Sequence, residues 1–183
     1  LADPSDIGPA AARNPDVSFV VYHSGFEPGG GGIGPYDPAD PAPQGVDRLI
    51  RSLEAAGVEP NANVYAELGG TWWLVMRDPT VAAHMLGKLL RYVGEDRVVW
   101  GTDSIWFGTP QDQIQALRTF QISEELQERY GYPALTDEIK AKIFGVSSAR
   151  LYGIEPITGQ CDLSAEEVEA VNSAWNAGDR KRA

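Results

Sequence analysis

The sequence predicts an α/β protein built on a parallel sheet. Two observations carry that prediction. Short, nearly continuous apolar runs alternate three times with longer amphipathic segments, the strand–helix alternation of a parallel sheet. Each run also stops at small or polar residues, His23-Ser24-Gly25, Gly69-Gly70 and Thr102-Asp103-Ser104, where such folds place their binding groups.

The first run, residues 17–22, is β-branched and aromatic, which suits a strand buried on both faces. A long loop over residues 28–43, rich in Gly and Pro, follows it, and such loops inside compact domains are usually functional or disordered. Val46, Leu49, Ile50 and Leu53 then repeat at helical spacing over residues 44–57, and Gly57 suits a C-cap. A second strand is expected over residues 64–68, and Gly69 to Trp73 is read as a break. Asp78-Pro79 opens a helix, with Asp as N-cap and Pro in the first turn, and Gly94 closes it. The third strand is expected over residues 97–101. Helices are expected at about 111–130, at about 136–145, around 149–152 and at about 165–177. Ser164 and Glu167 form a capping box for the last of these, with Leu163 and Val168 as its hydrophobic staple, and the tail from Gly178 is expected to fray.

Composition narrows the function. The 183 residues carry a net charge of −11, which disfavours nucleic acid and anionic membrane surfaces as partners, since both attract Lys and Arg. No apolar run approaches the ~20 residues of a membrane-spanning helix. The lone Cys161 excludes an intrachain disulfide and a multi-cysteine zinc site. It has no nearby His, which argues against a nucleophile. One cysteine and no signal-like start point to a cytoplasmic setting. Gly29, Gly31 and Gly34 match a dinucleotide fingerprint, but Pro35 to Pro38 follows where a helix would have to start.

His23 and Asp103, 80 positions apart, end the first and third strands and can face one point above the sheet. An imidazole and a carboxylate suit a first-row divalent ion, and equally an acid–base pair. Each has a plainer reading: a structural histidine, and an aspartate capping the next helix. Glu67 reads more readily as a paired carboxylate than as a catalytic one. Trp72, Trp73 and Trp106 follow strand ends and are expected as pocket walls, though core positions would also suit them. His84, mid-helix, reads as structural.

The segments Asn14 to Gly25, Asn63 to Leu68, Asp96 to Ser104 and Ile139 to Ile154 together resemble the amidohydrolase superfamily. More narrowly, they resemble its group that includes aminocarboxymuconate-semialdehyde decarboxylase. That resemblance implies the C-terminal part of a (β/α)8 TIM barrel, strands six to eight with the closing helices, over residues 1–154. Residues 155–183 are then a helical extension. It implies one divalent ion, zinc foremost, with Asp103 as ligand and Asp103 and His23 as catalytic residues. Glu67, Trp72 and Trp106 are the expected substrate-pocket residues. The family's first-strand His-x-His pair is absent from this sequence, and Ser147 stands where the family often has Asn. The implied reaction is hydrolysis of a C–N or C–O bond in a small molecule, with decarboxylation of an unsaturated or aromatic carboxylate as the alternative.

Three strands cannot close a barrel. The expected partner is therefore the N-terminal remainder of the barrel, in the same gene product or in another chain. Assembly into a homo-oligomer stays open. The competing reading is a non-catalytic β/α binding protein, in which His23 and Asp103 lie apart or make ordinary hydrogen bonds.

Overall fold

Val, Phe and Tyr fit the pleated surface of a sheet, and the three strands form where they concentrate. A computed structural model of the chain describes residues 3–27, 31–155 and 164–179. Its sheet consists of β1 (Phe19–Val21), β2 (Val64–Glu67) and β3 (Val98–Val99), all parallel, in the order β1-β2-β3. Val20 lies beside Tyr65 and Val21 beside Ala66, while Ala66 lies beside Val98 and Glu67 beside Val99. Spatial order thus follows chain order, which is consistent with part of a barrel.

Side chains alternate across a strand, so the register sorts the two faces. Val21, Val64, Ala66 and Val98 join the main core with the helices. That core draws Val46, Leu49, Ile50 and Leu53 from α2 (Gly45–Ala56), and Ala82, Met85 and Leu86 from α4 (Pro79–Lys88). The opposite face carries Val20, Tyr65, Glu67 and Val99. Tyr65 lies under the Arg97 guanidinium, 4.8 Å from its ring centre, but Val20 is 43% exposed. The expected burial of β1 on both faces is therefore corrected: one face packs on helices and the other is open at Val20.

Several helices match the sequence reading. Gly57 ends α2 in the left-handed conformation, and the Asp78 carboxylate caps α4 by accepting the Thr80 and Val81 N–H groups. Past Lys88 the helix widens into a π turn over Leu89–Val93, closed by the Gly94 N–H on the Leu89 carbonyl. The capping box of α10 (Ala165–Asp179) is present: the Ser164 N–H donates to the Glu167 carboxylate, and the Glu167 N–H to the Ser164 hydroxyl. Leu163, Cys161, Gly29 and the residues beyond 179 lie outside the described residues.

Other elements differ. Gly69 to Trp73 does not break the chain but starts α3 (Gly69–Val75), because Thr71, Trp72 and Val75 turn into the core and outweigh the poor propensity of two glycines. The helix expected at 111–130 is two, α6 (Gln111–Thr119) and α7 (Glu124–Tyr130). Phe120 goes extended and reaches the Trp72 ring, 5.7 Å between centres, and the Ser123 hydroxyl caps α7. Conversely, α8 (Asp137–Ala141) and α9 (Ser147–Tyr152) are bridged by a π turn over Lys142–Val146, where two separate helices were expected. The sequence reading also missed α1 (Ile7–Arg13), whose Gly8 lies flat on α2 with its N–H on the Ser52 hydroxyl at 2.9 Å. The short α5 (Ser104–Phe107) follows β3 directly.

Candidate functional site

The C-terminal ends of β1, β2 and β3 bring together residues far apart in sequence. His23 follows β1 in a tight turn, and Asp103 stands just before α5. The His23 Nε2 and an Asp103 carboxylate oxygen are 2.6 Å apart, in the range of charge-assisted hydrogen bonds. Both side chains keep some contact with solvent, 26% for His23 and 18% for Asp103. Asp103 makes no side-chain bond to cap α5, so its carboxylate is left for the imidazole. Convergence is what the metal or acid–base reading requires. A hydrogen bond taken alone is common to that reading and to the structural one.

The backbone at this pair is unusual. His23, Ser24 and Asp103 all adopt left-handed dihedrals, with φ of 51°, 54° and 49°. For residues with a Cβ this costs about 1–2 kcal/mol each and persists only where the surroundings hold it. The surroundings here are specific. The His23 N–H donates to the Glu67 carboxylate at 2.9 Å, and the Thr71 hydroxyl donates to the His23 carbonyl at 2.7 Å. The Ser24 hydroxyl donates to the Glu67 carbonyl at 2.8 Å. On the other side, the buried Gln113 amide donates to the Thr102 carbonyl at 2.8 Å, one residue before Asp103.

Glu67 is a half-buried carboxylate. Burial raises its pKa above the ordinary value, opposed by the N–H groups of His23 and Gly69 and by the His23 ring. Its space exists because residue 101 is glycine: a Cβ there would stand 1.7 Å from Glu67 Oε1. Gly70 likewise lets α3 come close under the pair, since a Cβ there would meet Asp103 Oδ2 at 3.2 Å and His23 Cε1 at 3.4 Å. The Tyr22 ring stacks on the His23 ring at 3.7 Å, and its phenol pKa is raised, first by desolvation and then by the charges of Asp103 and Glu67.

The expected pocket residues separate. Glu67 lies at the site, but its carboxylate is turned to backbone N–H groups beside His23. Trp72 is only 1% exposed and its indole donates to the Gln113 carbonyl at 3.0 Å, so it belongs to the core and walls no open pocket. Trp106 is 77% exposed on α5. Beside it, Phe107 stacks on Trp73 at 4.2 Å. Sequence reasoning missed Thr71, Gln113 and Gly70. The close Gly-Gly pair after β2 is the available signal, and in the sequence it reads as a break.

An imidazole nitrogen and a carboxylate oxygen are donors of the kind zinc takes. Zinc sites, however, use at least three protein ligands. Among the described residues no three His, Cys, Asp or Glu side chains converge closely enough to hold an ion. The donors fit in kind, and the set is incomplete among the described residues.

The chain is similar to the crystal structure of an amidohydrolase from Burkholderia multivorans with bound zinc, at 18% identity and a TM-score of 0.51. That match covers 84% of this chain and 50% of the other, so the chain spans half the length of that structure. At this identity the likeness concerns the fold. No curated protein matches the sequence. The family model for amidohydrolases matches residues 1–154, which takes in all three strands, His23 and Asp103. The chain therefore belongs to the amidohydrolase family.

Proposed function

We propose that this chain forms the sixth to eighth strand–helix units of a metal-dependent hydrolase that adds water across a C–N or C–O bond of a small molecule. The observation that carries the reading is the 2.6 Å contact between His23 and Asp103 at the carboxyl ends of a sequentially ordered parallel sheet. An imidazole bonded to a carboxylate is held in one orientation. His23 then accepts or returns a proton at the reacting oxygen or nitrogen, and Asp103 fixes which ring nitrogen is presented. Asp103 is also the donor this chain brings to a divalent ion, zinc foremost, which when bound activates water and polarises a carbonyl. The remaining ligands come from outside these residues, from the rest of the barrel. That partner also covers the sheet face left open at Val20.

The test uses the complete protein that carries this sequence. Hydrolysis is followed on p-nitrophenyl esters, lactones and N-acyl amides, with bound zinc measured on the same samples. His23→Ala and Asp103→Asn should each lower kcat by about 10²–10⁴-fold, and Asp103→Asn should also lose bound metal. Variants that hydrolyse at the parental rate would sink the reading. The competing outcome is carbon dioxide released from an unsaturated or aromatic carboxylate, abolished by the same substitutions, with no hydrolysis.

A further inference from the structure

We infer that Glu67 and Thr71 are positioning residues, which together clamp the His23 peptide so that its ring meets Asp103. The inference rests on the reading that the His23–Asp103 pair is the reactive one. Its grounds lie in the hydrogen bonds around one residue. Glu67 takes the His23 N–H at 2.9 Å, Thr71 supplies a hydroxyl to the His23 carbonyl at 2.7 Å, and Ser24 returns a hydroxyl to the Glu67 carbonyl at 2.8 Å. The His23 N–H is thus bound by a side chain from β2, and its carbonyl accepts both the Thr71 hydroxyl from α3 and the Phe26 N–H of its own turn, the latter at 2.8 Å.

The clamp acts on a conformation that needs it. Two successive residues with Cβ atoms, His23 and Ser24, stand at φ of 51° and 54°, a pair that a free chain rarely adopts. Residues in extended conformation would direct the imidazole elsewhere, because the direction of Cβ follows the backbone. Three glycines leave room for the clamp. A Cβ at Gly101 would overlap Glu67 Oε1, one at Gly69 would lie 2.5 Å from the His23 ring, and one at Gly70 would press on Asp103 and His23. Thr71 is fully buried, so its hydroxyl has no competing solvent bond. Glu67 therefore does its work through a backbone N–H, and its carboxylate is not aimed at substrate.

The experiment compares the complete protein with Thr71→Val, Glu67→Gln and Glu67→Ala. The ring ¹⁵N resonances are the first readout. The ring signals of His23 and His84 are assigned by their loss in His23→Gln and His84→Gln, and His84, on α4, serves as the internal reference. Thr71→Val keeps the side-chain shape and removes the hydroxyl. It should move the His23 ring signals and leave those of His84 in place. Glu67→Ala should do the same more strongly. Glu67→Gln keeps an oxygen for the His23 N–H and should restore the parental signals in part. In hydrolysis of a p-nitrophenyl ester, kcat should fall by up to about 10²-fold at unchanged KM, the cost of a small misplacement.

If Thr71→Val and Glu67→Ala leave the His23 signals unchanged, the clamp is overturned. Loss of both histidine signals together in Thr71→Val also overturns it, because that marks a purely structural role. Shifted His23 signals with no dependence of hydrolysis on His23 itself would uphold the clamp and sink the catalytic reading instead.

Discussion

His84 shows how one buried side chain sets a pH limit on stability. Its ring lies among aromatic neighbours, with Nδ1 3.0 Å from the Tyr132 hydroxyl and the Tyr130 ring edge-on at 4.9 Å. Burial, and then the charges of Lys88 and Arg129, hold its pKa below the usual imidazole value. The unfolded chain takes up this proton near pH ~6.5 and the folded chain only at lower pH, so stability is full above that value. It declines as the pH falls below it, and levels once the folded-state pKa is passed. Thermal unfolding between about pH 7.5 and 5.5 should show Tm falling across this window, and His84→Gln should flatten the slope. At this scale the sequence was partly legible. His23 and Asp103 stand out because they are polar residues placed where apolar strands stop. The part played by Glu67 was hidden, because its partner is a main-chain N–H 44 positions earlier and no side-chain pattern announces such a bond. Trp72 was misassigned for a related reason: whether an indole faces a pocket or the core depends on whether its segment is loop or helix.

Among the elements, the packing of α1 on α2 rests on the absence of one methyl group. A Cβ on Gly8 would lie 1.9 Å from the Ser52 carbonyl oxygen, a backbone atom that cannot swing away. Gly8→Ala should therefore push α1 off α2 and cost about 1–3 kcal/mol, as overpacking of a close contact does. Urea unfolding would show it as a lower midpoint at unchanged m-value, and an unchanged midpoint would mean that α1 contributes little. The same contact explains why α1 was not foreseen. Gly8 and Pro9 lower helix propensity, and the compensating contact with α2 is tertiary. Helices with caps and long apolar stripes, α2 and α4 above all, were legible because both signals are local. The division of residues 111–130 was not, since Phe120 leaves the helix to meet Trp72, a contact that spacing alone does not reveal.

For the molecule as a whole, one buried charge joins three segments. Lys88 is fully buried, and its ammonium donates at 2.5 Å to Asp47 on α2 and to the carbonyl of Gly32 in the glycine-rich loop. Burial lowers the Lys88 pKa and raises that of Asp47, each opposed by the other's charge. Removing one partner leaves the other uncompensated, so Lys88→Met should cost about 3–5 kcal/mol. The pair Lys88→Met with Asp47→Leu should recover most of that loss, and denaturant unfolding of the single and double variants checks both statements. The strand–helix alternation and the class of fold were legible at this scale because both follow from periodicity; the open face at Val20 was not, since the apolar run gives no sign of which side lacks a cover. The β1-β2-β3 order has a consequence of its own. Staves set side by side in the sequence in which they are cut can be extended at either rim without unthreading those already in place. A polypeptide laid down in this manner can gain, lose or exchange its outermost stave while the seams between the others stay as they were.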